Sequence, residues 1–312
     1  MKEKKIIREL EQSDERYTKG TDSTAKKRAK SARCIGILSV AACLAVVAVS
    51  LVLAKQAGEK KEHEDIATKK YGEAAVYIPK IELLENQQGA AADMIGVVVY
   101  NGKIYTHAEY MYGDDEAKSK FIGEFLGSAT GEIDEWSQPN DYKKELASNV
   151  AGEVYTVKGY DRDFRICILN TYGNLAFFEN LNDINLTVGE DLYGEKRLNL
   201  RGNINKTEYQ LHEDWDWAKG NIKELEDLPS GSIDAFVAEL YKGEFEDLSK
   251  CKPSIYSQEL KQAHLYFRMK DGTCVQMRLF ENGYVGYSYM NDSCFVKIDN
   301  EIFTRVFDAA LK

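Results

Sequence analysis

The chain has 312 residues, 44% of them hydrophobic and 29% charged, a globular composition that excludes a disordered or coiled-coil protein. Its formal net charge of −10 argues against a nucleic-acid binder, which needs a basic surface. The mean hydropathy of −0.45 conceals one strongly apolar segment.

Residues 1–33 are basic and hold eleven Lys or Arg, five of them, Lys26, Lys27, Arg28, Lys30 and Arg33, just ahead of the apolar segment. Ile6, Ile7 and Leu10 fit a short helix in this tail. Residues 34–54 follow, 21 residues with no charge and no proline. As a helix they would span about 31 Å, the thickness of a hydrocarbon core. Eleven of them are Ile, Leu or Val, which favours insertion by about 3 to 7 kcal/mol. The segment is expected to be a transmembrane helix. The basic cluster before it places the N-terminus in the cytoplasm and the remainder outside, and the cluster would also attract anionic lipid.

The charge is unevenly divided. Residues 1–33 carry 11 basic and 6 acidic side chains, and residues 34–54 carry none, so 30 basic and 45 acidic remain beyond, a net of −15. Two processing routes compete with an uncleaved anchor. Val40-Ala41-Ala42-Cys43 resembles a lipoprotein processing site, but eleven uncharged residues would follow the cysteine. Val52-Leu53-Ala54 fits a small-residue cleavage site, but the preceding basic and apolar regions are both long for a signal peptide.

Residues 55–90 read as a stalk, charged at first and then broken by Pro79 and Gln87-Gln88-Gly89. Two β-rich runs around Asn101-Gly102 predict a type I′ hairpin, because both turn residues must take positive φ. A helix is expected at 114–126, with Phe121, Ile122, Phe125 and Leu126 on one face. Strands are expected at 153–158, 164–169 and 175–179, then a short element at 186–193. The second half predicts a strand at 207–211 and a helix at 232–241 with Ser232 as N-cap. Strands at 265–269, 274–280, 284–289 and 294–298 follow, and a helix at 301–311 whose apolar stripe is Ile302, Phe303, Val306, Phe307 and Leu311.

The halves echo one another. Phe121–Leu126 resembles Phe236–Tyr241, Val154-Tyr155 resembles Leu265-Tyr266, and Asn182-Asp183 resembles Asn291-Asp292, at similar offsets. The expected fold is an α+β extracytoplasmic domain, two diverged helix-plus-antiparallel-meander repeats at 91–200 and 201–312, on one N-terminal transmembrane helix.

Catalytic motifs are lacking. The four histidines form no His-Glu-x-x-His, and His107-Ala108-Glu109 is half a zinc-deaminase signature without its cysteines. There is no nucleophile elbow and no phosphate-cradling glycine loop. The acidic runs 114–116, 161–163 and 213–216 lack the EF-hand order. No cofactor, metal or catalytic residue is assigned, and no enzyme is expected. Cys167, Cys251, Cys274 and Cys294 read as small buried hydrophobes rather than a disulfide framework, with Cys274 and Cys294 the pair best placed for a bridge.

Aromatics stand out, with 19 Tyr against 12 Phe. Tyr110 and Tyr112 near the first hairpin, and Trp136, Trp215 and Trp217 in expected loops, form a candidate surface for a protein or glycan partner. Tyr284, Tyr287 and Tyr289 cluster in the last meander, and for all these aromatics ordinary strand and core packing is the competing reading.

The run from Met269 through Asp271-Gly272 and Asn282-Gly283 to Tyr287, the segment Ile78-Pro79-Lys80-Ile81-Glu82-Leu83, and the basic tail with its anchor resemble uncharacterised single-pass membrane proteins of Clostridia-type Gram-positive bacteria. The resemblance spans most of the chain and implies a membrane location without an activity. Some such proteins look like membrane partners of extracytoplasmic-function sigma factors, but the zinc pattern His-x3-Cys-x2-Cys is missing here. The expected function is therefore a membrane-anchored, non-catalytic domain binding an extracellular ligand or protein. The alternative is a membrane sensor or anti-sigma-type regulator acting through the tail. The lipid bilayer is an expected partner and nucleic acid is not.

Overall fold

The computed structural model describes residues 76–81, 95–134, 137–138, 140–251, 254–255, 260–290 and 294–312. All belong to one unit, Glu62–Lys312. The expected tail with Lys26, Lys27, Arg28, Lys30 and Arg33, the transmembrane segment 34–54 and Trp136 lie outside the described residues.

The fold is mixed α+β with antiparallel sheets. The first half supplies β1 (Val76–Ile78), β2 (Val97–Tyr100), β3 (Lys103–Met111), α1 (Asp115–Ser119), β4 (Ile122–Thr130), β5 (Ala151–Val157), β6 (Arg165–Asn170), β7 (Leu175–Glu179), β8 (Ile184–Leu186) and α2 (Glu190–Tyr193). The second supplies β9 (Ile204–Leu211), α3 (His212–Asp216), β10 (Lys223–Glu224), α4 (Ser232–Lys242), β11 (Phe245–Asp247), β12 (Gln262–Met269), β13 (Cys274–Phe280), β14 (Tyr284–Tyr287), β15 (Cys294–Lys297) and α5 (Glu301–Ala309). One sheet has six strands in the order β2-β3-β7-β6-β5-β4; another has seven, β10-β9-β12-β13-β14-β15-β11; β1 pairs with β8 alone.

The predicted hairpin forms. Asn101 takes φ 55° and Gly102 φ 72°, which pairs Val98 with Tyr105 and Val99 with Ile104. In β6 and β7 nearly every residue is buried. Ile166, Ile168 and Phe178 enter one core cluster, while Cys167, Leu175 and Phe177 enter another on the opposite face. That is why both strands read as continuous apolar runs.

The seven-stranded sheet alternates instead. Ala263, Leu265, Phe267 and Met269 of β12, with Val275, Met277 and Leu279 of β13, share a core with Phe236 and Leu240 of α4 and Phe303, Val306 and Phe307 of α5. Each fully buried side chain of this size contributes about 1.5–3 kcal/mol. The alternate positions, His264, Tyr266, Gln276 and Arg278 among them, face the other way and are polar. The α5 helix starts at Asn300, whose side-chain oxygen accepts from the N–H groups of Ile302 and Phe303 at 3.1 Å each. Gly189, at the start of α2, admits no side chain, since a Cβ there would lie 1.8 Å from the carbonyl oxygen of Leu240.

Several expectations need correction. The helix expected at 114–126 is one turn, capped by Asp114 accepting from Ala117 N–H at 2.8 Å; residues 122–130 form β4 instead. Gly123 and Gly127 disfavour a helix. Register shifts between Ile122 and Phe125 and between Phe125 and Gly127 break the alternation, and the broken pattern imitates helical spacing. The echo between Phe121–Leu126 and Phe236–Tyr241 therefore sets a strand against a helix. Strand order differs as well: β3 borders β7, the last strand of its meander, whereas β9 borders β12, the first of its own. Gly231, at φ 79°, is the N-cap of α4, and Ser232 lies inside the helix and buried. The region expected to be a stalk contains β1, whose Val76 and Ile78 are buried in the core and pair with Leu186 and Ile184. The cysteines need no correction: Cys167, Cys251 and Cys294 are buried free thiols as expected, and Cys274, also free, is half-buried.

Candidate binding groove

Four parts of the six-stranded sheet converge at one end of it. A register shift between His107 and Tyr110 re-aims the end of β3, leaving Tyr110 41% and Tyr112 73% exposed. Their ring centroids lie 6.0 Å apart at 35°. Tyr110 also packs on the His107 ring at 4.2 Å, which steadies the phenol at the surface. Burial lowers the pKa of His107.

The β6–β7 turn forms the facing wall. The side-chain oxygen of Asn170 accepts from the backbone N–H groups of Tyr172 and Asn174, both at 3.0 Å. This Asx-type arrangement presents Tyr172 with 89% of its surface exposed. Asn149 secures the approach to β5: its amide oxygen accepts from Val97 N–H at 2.8 Å and its amide nitrogen donates to the Ile95 carbonyl at 3.1 Å.

The cleft between these parts has a volume of about 450 Å³ and is also lined by Gly131, Val150, Ala151 and Thr171. None of its ten lining residues is charged. Among the described residues none hydrogen-bonds the hydroxyls of Tyr110, Tyr112, Tyr172 or Thr171, or the Asn174 amide. The groove thus offers aromatic faces and uncommitted neutral donors and acceptors.

Two other clusters pair most of their polar groups internally, although Arg165 Nη1 is buried without a hydrogen-bond partner among the described residues. In the first, Arg165 and Glu179 are buried together: Nε donates to the carboxylate at 3.0 Å, and Nη2 donates to the same oxygen. The Tyr287 hydroxyl of the seven-stranded sheet donates to both Glu179 oxygens, at 3.1 and 2.9 Å. Tyr160 lies 4.2 Å under the guanidinium and donates to Asp271 at 2.7 Å. Nearby, Glu109 accepts from Cys274 N–H at 3.2 Å. Burial is the main cause lifting the Glu109 carboxyl to about 7, opposed by the Arg165 charge.

In the second cluster, Nδ1 of His212 and Nε2 of His264 are 3.1 Å apart, and the Trp215 ring stacks on His264 at 4.5 Å and 14°. Burial first, then the nearby His212 and Arg278, pushes His264 down to about 3. Both imidazoles are neutral at pH 7, so one donates its N–H to the other. Among the described residues no group of three His, Cys, Asp or Glu is placed to hold a metal ion. The acidic runs serve as caps and ion-pair partners: Asp114 caps α1 and Asp214 pairs with Lys219 at 3.1 Å.

The expected partner surface therefore divides. Tyr110 and Tyr112 meet in the groove. Trp215 is not in a loop but in the one-turn helix α3, committed to its histidine stack, and Trp217, 70% exposed, follows that helix. Tyr284 and Tyr287 are core residues. Tyr172, Thr171 and Asn174 complete the groove without having been singled out; Asn170 and Gly173 mark their turn but not the outward aim of Tyr172.

No protein-family model matches this chain, and comparison with curated proteins and with solved structures finds no similar one. No helix of the described residues is long and apolar enough to cross a membrane.

Proposed function

We propose that the protein is a single-pass membrane protein whose α+β domain lies outside the cell and binds a ligand without transforming it. The tyrosine–asparagine groove carries the binding part of this reading. It sits within the 300–1,000 Å³ range of small-ligand pockets, and its free groups are ones that hold a ligand rather than activate one. The uncharged segment 34–54 supplies the anchor, and Lys26, Lys27, Arg28, Lys30 and Arg33 before it orient the chain with its N-terminus in the cytoplasm. A duplicated origin for the domain does not enter this reading, because the strand orders of its sheets differ.

Alkaline carbonate extraction of membranes tests the anchor. The full chain is expected in the membrane pellet and is released only by detergent. Recovery in the carbonate wash would contradict a spanning segment.

A further inference from the structure

We propose that the groove between Tyr110, Tyr112 and Tyr172 takes a neutral saccharide, one stretch of a glycan chain. This rests on the binding-domain reading above and names its ligand class.

The first observation is electrostatic. In a chain that is 29% charged, ten lining residues without one charged side chain select for a ligand that needs no counter-ion. The net of −15 carried beyond the membrane segment works against a polyanion approaching this surface.

The second is chemical. A sugar ring has C–H faces and a rim of hydroxyls. The angled Tyr110–Tyr112 pair and the Tyr172 ring on the facing turn offer flat apolar faces for the former. The uncommitted phenols, the Thr171 hydroxyl and the Asn174 amide match the latter, since hydroxyl and amide groups both donate and accept. A wholly apolar ligand would strip water from these groups and return no hydrogen bonds.

The third is topological. A peptide captured by strand addition needs a free strand edge. Here β2 pairs with β3 only at Lys103–Thr106, but the groove end of β3 has its β7-facing edge taken, at Tyr110 and Met111, and the groove lies over strand ends and a turn. The binding surface is made of side chains, which suits a saccharide.

The test is calorimetric titration of the full chain, held in a detergent without a sugar headgroup. The probes are chitohexaose, maltohexaose and cellohexaose, with polygalacturonate and a mixed-sequence peptide as controls. At least one neutral oligosaccharide is expected to bind saturably. Tyr112→Ala and Tyr172→Ala are each expected to weaken it about tenfold or more, with unchanged thermal unfolding because both side chains are exposed. Asn174→Ala, a second kind of variant, is expected to weaken binding without touching an aromatic face. No neutral saccharide binding, binding indifferent to both tyrosine replacements, or preference for polygalacturonate or the peptide would overturn the proposal. A chain retained in the membrane that ignores every sugar overturns the saccharide assignment alone, whereas release in the carbonate wash overturns the anchored reading beneath it.

Discussion

The Tyr287 hydroxyl in one sheet hydrogen-bonds both carboxylate oxygens of Glu179 in the other, at 3.1 and 2.9 Å. Glu179 is fully buried and its other partner, Arg165, is 1% exposed. A charge enclosed in this way is held only while its partners remain. Glu179→Ala would leave the Arg165 guanidinium unpaired, and is expected to cost about 3–5 kcal/mol. Tyr287→Phe removes only hydrogen bonds to a charged group, about 1.5–3 kcal/mol. Urea unfolding measures both. Equal and small effects would show that the two sheets are not joined through this carboxylate.

Glu109 and His264 impose opposite pH dependences. The folded pKa of Glu109, about 7, lies above its ordinary value of 4.5, so its contribution to stability is complete below 4.5 and lost as pH rises to about 7. His264 is depressed from 6.5 to about 3, so its contribution is present above 6.5 and lost as pH falls toward 3. The two slopes oppose each other between 4.5 and 6.5. Glu109→Gln is expected to abolish the loss on the alkaline side and leave the acid limb in place, as read by unfolding free energy against pH. An unchanged alkaline limb in that variant would contradict the assignment.

The cysteines of the domain are expected to behave as buried thiols. Burial raises Cys167 to about 12 and both Cys251 and Cys274 to about 11, so little thiolate forms at neutral pH. Intact mass is expected to be the same with and without reductant. Alkylation of the domain thiols is expected to be slow until denaturant is added, with Cys274, the least buried of the four, reacting first. A mass change on reduction would identify a bridge.

The Asn101-Gly102 turn sets the register of the first hairpin. Gly102→Val would force a β-branched residue to φ 72°, a conformation that costs an ordinary residue about 1–2 kcal/mol. Thermal unfolding should fall accordingly, while Gly102→Asn, which tolerates the left-handed region, should lose less. Equal losses would argue against the type I′ geometry.

Much of the fold was legible because its signals are local. The runs in β6, β7 and β13 are apolar or alternating segments bounded by turn residues, and α5 shows one apolar stripe. The failures are long-range. The bulges of β4 exist because β5 pairs against them, and without that partner Phe121, Ile122, Phe125 and Leu126 look helical. β1 is three residues ahead of Pro79 and becomes a strand through pairing with β8, more than a hundred residues away. The groove was half visible, since Tyr110 and Tyr112 are two residues apart in sequence, but Tyr172 joins them only through the β3–β7 pairing. His212 and His264 stand 52 residues apart, and nothing local in either marks the pair.

The proposed topology puts the groove outside the cell and the basic tail inside it. Thr171→Cys places a thiol on an exposed position of the groove, and Ser13→Cys places one in the basic tail. Both are treated on intact cells with a membrane-impermeant maleimide, against the wild-type chain. The account predicts that Thr171→Cys is labelled directly, and that Ser13→Cys is labelled only after permeabilisation. Labelling of Ser13→Cys on intact cells, or protection of Thr171→Cys until the membrane is opened, would contradict it.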